Sequence, residues 1–174
     1  MKYTTISVVM AATILIAGCG KKSPSSSTTP PPAQAGAASS LPIAQSALLD
    51  WQQGDKAAAV SSFLAADWNA RPLFAAASTL SLSEAQFNAF SDAENQAKSA
   101  DLFSQLDSLK QLARAVVQAG DDAADKGDIA QARKCFTSLE QCGDALDTSS
   151  GRMVKLVGQA FQKLAKSKLA KIGQ

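Results

Sequence analysis

The chain has 174 residues, with 17 Lys and Arg against 15 Asp and Glu, three cysteines and no histidine. Without histidine it lacks the commonest general base and the usual zinc ligand, so Ser-His or Cys-His hydrolases and His-ligated zinc enzymes are excluded. The formal charge of +2 hides a division: Leu41 to Gly151 carries 15 acidic and eight basic residues, whereas Arg152 to Gln174 carries six basic and no acidic ones.

The N-terminus has the parts of a targeting segment. Lys2 precedes an apolar stretch, Ile6 to Ile16, interrupted only by Ser7 and Thr13. A helix of that length is too short to cross a bilayer, which takes roughly 20 apolar residues. The stretch ends in Ile16-Ala17-Gly18-Cys19, and Cys19 is the only cysteine in the first 134 residues. An aliphatic residue, two small residues and Cys resemble the end of a bacterial lipoprotein signal peptide. The resemblance implies cleavage after residue 18, diacylglycerol on the Cys19 thiol and, often, acylation of the new amino group. Two or more acyl chains anchor stably where one does not. Gly20 stands where an Asp would be the inner-membrane retention signal, so the expected location is the outer membrane, facing the periplasm, if the host is Gram-negative.

Residues 19–40 then form a lipidated Cys and a tether built almost wholly of Ser, Thr, Pro, Gly, Ala, Gln and Lys, which cannot bury enough apolar surface to offset its ordering entropy. As a loose coil, the segment from Gly20 to Ser40 reaches about 25 Å, and fully extended about 70 Å at most. Residues 41–174 are one folding unit. They lack period-2 alternation and have no Tyr or Ile between Ile43 and Ile129, so an all-α domain is expected.

The first helix is expected over 42–53, burying Leu41, Ala44, Leu48 and Trp51, and the second over 56–68, burying Val60, Phe63 and Leu64. Between them stands Gly54-Asp55, followed by Ala59, Phe63 and Ala66 at fixed offsets; Gly127-Asp128 is followed by Ala132, Phe136 and Leu139 at the same offsets. Seven residues before each glycine is a small residue, Ala47 and Gly120. This spacing resembles the tetratricopeptide repeat, over less than half of the domain. The resemblance implies antiparallel helical hairpins stacked as a short array. Gly54-Asp55 and Gly127-Asp128 would make the inter-helix turns and cap the following helices. The two copies lie 73 residues apart, which leaves room for a divergent unit between them.

Next come a short helix over 73–79 and a helix opened by a Ser83 capping box, with Phe87 and Phe90 on one face. A long helix over 101–126 follows, with Leu102, Leu106, Leu109, Ala113, Val116, Gly120 and Ala123 forming an apolar seam. A helix over 129–141 is succeeded by a last helix after Gly151. In that helix Met153, Leu156, Val157, Ala160, Phe161 and Leu164 are expected to face the core as a cap on the array, with Lys155, Lys163 and Lys166 outside.

Candidate chemistry is sparse. Glu84, Glu94 and Glu140 could be nominated for a carboxylate-based hydrolase, but their spacing singles out no pair. Asp121, Asp122, Asp125 and Asp128 fail the calcium-loop rule because Ala123 breaks the alternation and Lys126 stands where glycine is needed; a solvated helix end is expected and no metal. Cys135 and Cys142 sit about 10.5 Å apart along a helix, too far to bridge unless the helix breaks before Cys142; otherwise they are buried thiols. Trp51 and Trp68 read as core and lid. The expected function is therefore non-enzymatic: a membrane-anchored envelope module that binds a protein or peptide between its helices. It would have no cofactor beyond the lipid on Cys19 and no nucleic-acid partner. The alternative is attachment of the basic end, through Arg152, Lys155, Lys163 and Lys166, to an anionic lipid or cell-wall polymer.

Overall fold

The two Gly-Asp turns have the same backbone geometry. The computed structural model describes residues 42–173; the leader, Cys19, the tether and Leu41 lie outside them. Helix α1 is Ile43–Gln52 and α2 is Lys56–Ala65; α4 is Asp92–Asp125 and α5 is Ile129–Asp147. At the first turn Gly54 has φ 88°, the Gly54 N–H donates to Trp51 and the Asp55 N–H to Asp50. At the second Gly127 has φ 79°, with Gly127 donating to Ala124 and Asp128 to Ala123. Both are Schellman stops that need the left-handed conformation glycine adopts without strain. Each aspartate then caps the next helix, accepting from Ala58 and Gln131 at 3.0 Å.

The rest of the repeat also has a packing reason. Phe63 and Phe136 are fully buried, and a Cβ on Gly120 would fall 2.6 Å from the Phe136 ring. Only a residue without a side chain leaves room for that ring at the α4–α5 crossing. Ala47 is likewise fully buried.

The fold is all-α among the described residues: two hairpins, α1–α2 and α4–α5, and a final helix α6, Arg152–Ile172, laid back along α5. Gly143 meets Gly158 at the α5–α6 crossing, and Gln159 donates to Asp147, so these two helices run antiparallel. Lys168 reaches Asp121 near the end of α4, while Met153 and Val154 share a cavity with Ser99, Leu102 and Phe103 near its start. Thus α4 and α6 run parallel, with α5 opposed to both. All seven residues of the α4 seam are buried.

Several expectations are corrected. No third hairpin lies between the two copies: residues 66–91 hold only a 3-10 turn, Thr79–Ser81, and the one-and-a-half-turn helix α3, Glu84–Asn88. The expected helix over 73–79 is absent because Ser78 bonds locally, accepting from the Leu80 N–H, and donates to Gln105 on α4. Phe90 falls beyond the end of α3. Helix α2 stops at Ala65, and Trp68 folds back to sit 4.7 Å from Phe63, centroid to centroid. Helix α4 starts nine residues earlier than expected, where Glu94 reaches back to the Ser91 N–H and hydroxyl at 3.0 and 2.7 Å. Helix α5 continues through Gly143 to Asp147, so Cys135 and Cys142 share one unbroken helix as buried free thiols. Bridging between them is ruled out by helix rise.

The last correction concerns which face of α6 is buried. Val154, Gly158, Phe161 and Ala165 face the core, with Val157 partly buried. Met153, Leu156, Ala160 and Leu164 stay exposed. The Gly143–Gly158 approach sets this rotation, bringing the two backbones together there.

Candidate functional site

An apolar groove opens where three elements fail to close on one another. Ser83 opens α3 with a full capping box, its hydroxyl accepting from the Gln86 N–H and the Gln86 side chain accepting from the Ser83 N–H. This places Phe87 toward the start of α4, with Phe90 edge-on to it at 6.2 Å. The Thr79 and Ser78 hydroxyls are held by Asp101 and Gln105 at 3.0 and 2.7 Å, which ties the 3-10 turn to α4. On the far side, Gly151 begins α6 close to the Leu82 carbonyl: a Cβ there would lie 3.1 Å from that oxygen.

The resulting cavity is about 270 Å³. Leu82, Phe87, Leu102, Phe103, Met153 and Val154 give it an apolar lining, and Glu84 and Arg152 bring one charge of each sign to it. Phe103 is 56% exposed and Met153 42%, so two large side chains stand at the opening instead of in the core. A concave apolar site with a few polar groups is where binding is sought first.

The predicted site residues are distributed as follows. Gly54, Asp55, Gly127 and Asp128 make turns. Arg152 lines the groove, while Lys155, Lys163 and Lys166 stand exposed along α6. The one ion pair among the described residues is Lys168 with Asp121. In the aspartate cluster Asp122 accepts from Gln118, Asp128 caps α5 and Asp125 is exposed. The three nominated carboxylates sit on three different helices, and of them only Glu84 lines the groove. Glu94 is held below its ordinary pKa first by the Ser91 hydroxyl and then by the Ser91 N–H. Trp68 is buried in the core, and Trp51 is half-buried with the Lys56 ammonium 5.6 Å from its ring centre.

Sequence reasoning does not flag Phe103, and it assigns Met153 to the core. The groove joins residues 79–103 to residues 151–154, about fifty positions apart, and no local pattern encodes that meeting. Comparison with known proteins gave no matching family model, no similar curated protein and no similar solved structure.

Proposed function

We propose that this is a lipid-anchored, exported protein of a bacterial envelope that acts without catalysis, holding a protein or peptide partner in the groove between α3, α4 and α6. The observation that carries the reading is the groove itself, with Phe103 and Met153 exposed at its opening. Aromatic and Met side chains are enriched in protein interfaces, and a few well-packed anchors in pockets carry most of the binding energy there. The lipid on Cys19 would hold this module at a membrane, most consistently the outer membrane of a Gram-negative cell, and no cofactor, metal or nucleic acid enters the reading.

The binding half is tested by a photo-crosslinking residue at Phe103 in the full chain in its native membrane, with one at Lys126 as control. The same partner should crosslink from position 103, not from 126, and should be lost when Met153→Asp is added. Equal crosslinking from both positions, or no effect of Met153→Asp, overturns it. The anchor is tested separately by mass spectrometry of the N-terminal peptide from the membrane fraction: diacylglycerol on Cys19 is expected, and an unmodified thiol refutes it.

A further inference from the structure

The outward face of α6 is left with a composition that the fold does not use. Three of the five exposed large hydrophobic side chains of the described domain lie on this one helix, namely Met153, Leu156 and Leu164. At 3.6 residues per turn, Met153, Leu156, Ala160 and Leu164 form a stripe on the solvent side of the buried Val154, Gly158, Phe161 and Ala165. Lys163 follows Leu156 by two turns, and Lys155 and Lys166 are three turns apart on the flank beyond it. Arg152, Lys155, Lys163, Lys166 and Lys171 are all exposed without an ion-pair partner among the described residues, and the helix has no acidic residue. Carboxylates meet the helix only at its edges: Asp121 is taken by Lys168, the half-buried Asp147 accepts from Gln159, and Glu84 shares the groove with Arg152 at the helix start.

We propose that this face of α6 docks on an anionic lipid leaflet, with Leu156 and Leu164 entering the headgroup region and the cations beside them meeting lipid phosphates. Charge complementarity argues for that occupant. A helix with an apolar stripe beside a row of cations matches an interface that is both anionic and apolar below its surface. The remainder of the domain, 15 acidic residues against eight basic between Leu41 and Gly151, is repelled by the same leaflet and so fixes which end approaches. The docking does not rest on the groove reading or on the lipid at Cys19.

The experiment uses the full chain carrying Cys19→Ser, so that no acyl chain contributes. Binding is compared on phosphatidylcholine vesicles and on vesicles in which about a third of the lipid is phosphatidylglycerol. The leader and tether are common to every variant, so differences between variants report α6. Binding is expected to be tighter on the anionic vesicles than on phosphatidylcholine, the excess falling as salt rises, and on the anionic vesicles roughly a hundredfold weaker in K155Q/K163Q/K166Q. Leu156→Ser should weaken it several-fold with unchanged helical content, because that side chain is 53% exposed and outside the core. Equal binding to the two vesicle types by the unsubstituted helix, or full binding by the triple variant, overturns the proposal. So does equal, Leu156-independent affinity for a soluble polyanion, which would assign the face to a polymer. A dimer that the triple variant dissolves, without vesicle binding, would assign it to a second copy and overturn it equally.

Discussion

Gly143 and Gly158 leave no room for a side chain: a Cβ on Gly158 would lie 2.7 Å from the Gly143 carbonyl oxygen and 2.8 Å from the Asp147 nitrogen. These are backbone atoms, which cannot rotate aside. Alanine is intrinsically the better helix former by about 1 kcal/mol, but the overpacking penalty of about 1 to 3 kcal/mol is the larger effect here. Gly158→Ala should therefore lower stability by up to about 2 kcal/mol, read as a lower denaturant midpoint; a raised midpoint would mean that the helices do not touch there. At Gly127 the reason differs, since nothing lies within 4 Å of where a methyl group would stand and the positive φ alone opposes substitution. A second residue-scale outcome concerns Cys142, whose thiol burial pushes well above its ordinary pKa, while burial raises Cys135 as well. Both should resist thiol reagents in the folded protein and react at once in denaturant. Rapid native labelling of Cys142 would contradict a closed core around α5.

At the scale of elements, the start of α4 depends on one exposed carboxylate. Glu94 accepts from the Ser91 N–H and hydroxyl and is held below its ordinary pKa by them. A depressed carboxylate stabilises the folded state above its ordinary value of 4.5 and loses that contribution as pH falls through its lower folded value. The amide of Asn95, which donates to the Ser91 carbonyl at 2.8 Å, should lose exchange protection in that acidic window. In Glu94→Gln its protection should no longer change with pH there; a pH-dependent loss identical to the parent's would remove Glu94 from the cap. That helix start is written in the sequence, because Ser91-Asp92-Ala93-Glu94 has the same Ser-x-x-acidic/amide form as Ser83 to Gln86, although the apolar seam points to a start only near residue 101. The Gly-Asp turns and the seam from Leu102 to Ala123 are legible because each is a local pattern with one solution. The facing of α6 is not. Two apolar stripes overlap on that helix, and the choice between them is made by Gly158, which carries no hydrophobic signal and acts through Gly143 on another helix. The groove is illegible for the same reason, since its two sides approach each other only after α5 has placed α6 parallel to α4.

For the whole molecule the question is whether α6 is a removable attachment or part of the core. Its buried side chains answer it. Val154 and Phe161 are almost completely removed from solvent, and Ala165, Leu169 and Ile172 pack with them. Burying a Val or Phe side chain stabilises by about 1.5 to 3 kcal/mol each. Leu146, whose Cβ lies within contact of the α6 backbone at Gly158, would also be uncovered. Together these losses approach the whole stability of a domain this size, about 5 to 15 kcal/mol. A chain truncated before Arg152 should therefore keep helical content but lose its cooperative thermal transition and expose apolar surface to a hydrophobic dye. A truncated chain that still melted cooperatively would make α6 an appendage, and its Gly143–Gly158 crossing incidental. Because the same helix carries core residues on one side and unpaired cations on the other, deletion confounds folding with surface binding. Only point substitutions on the outward face, at Leu156, Lys155, Lys163 and Lys166, separate the two.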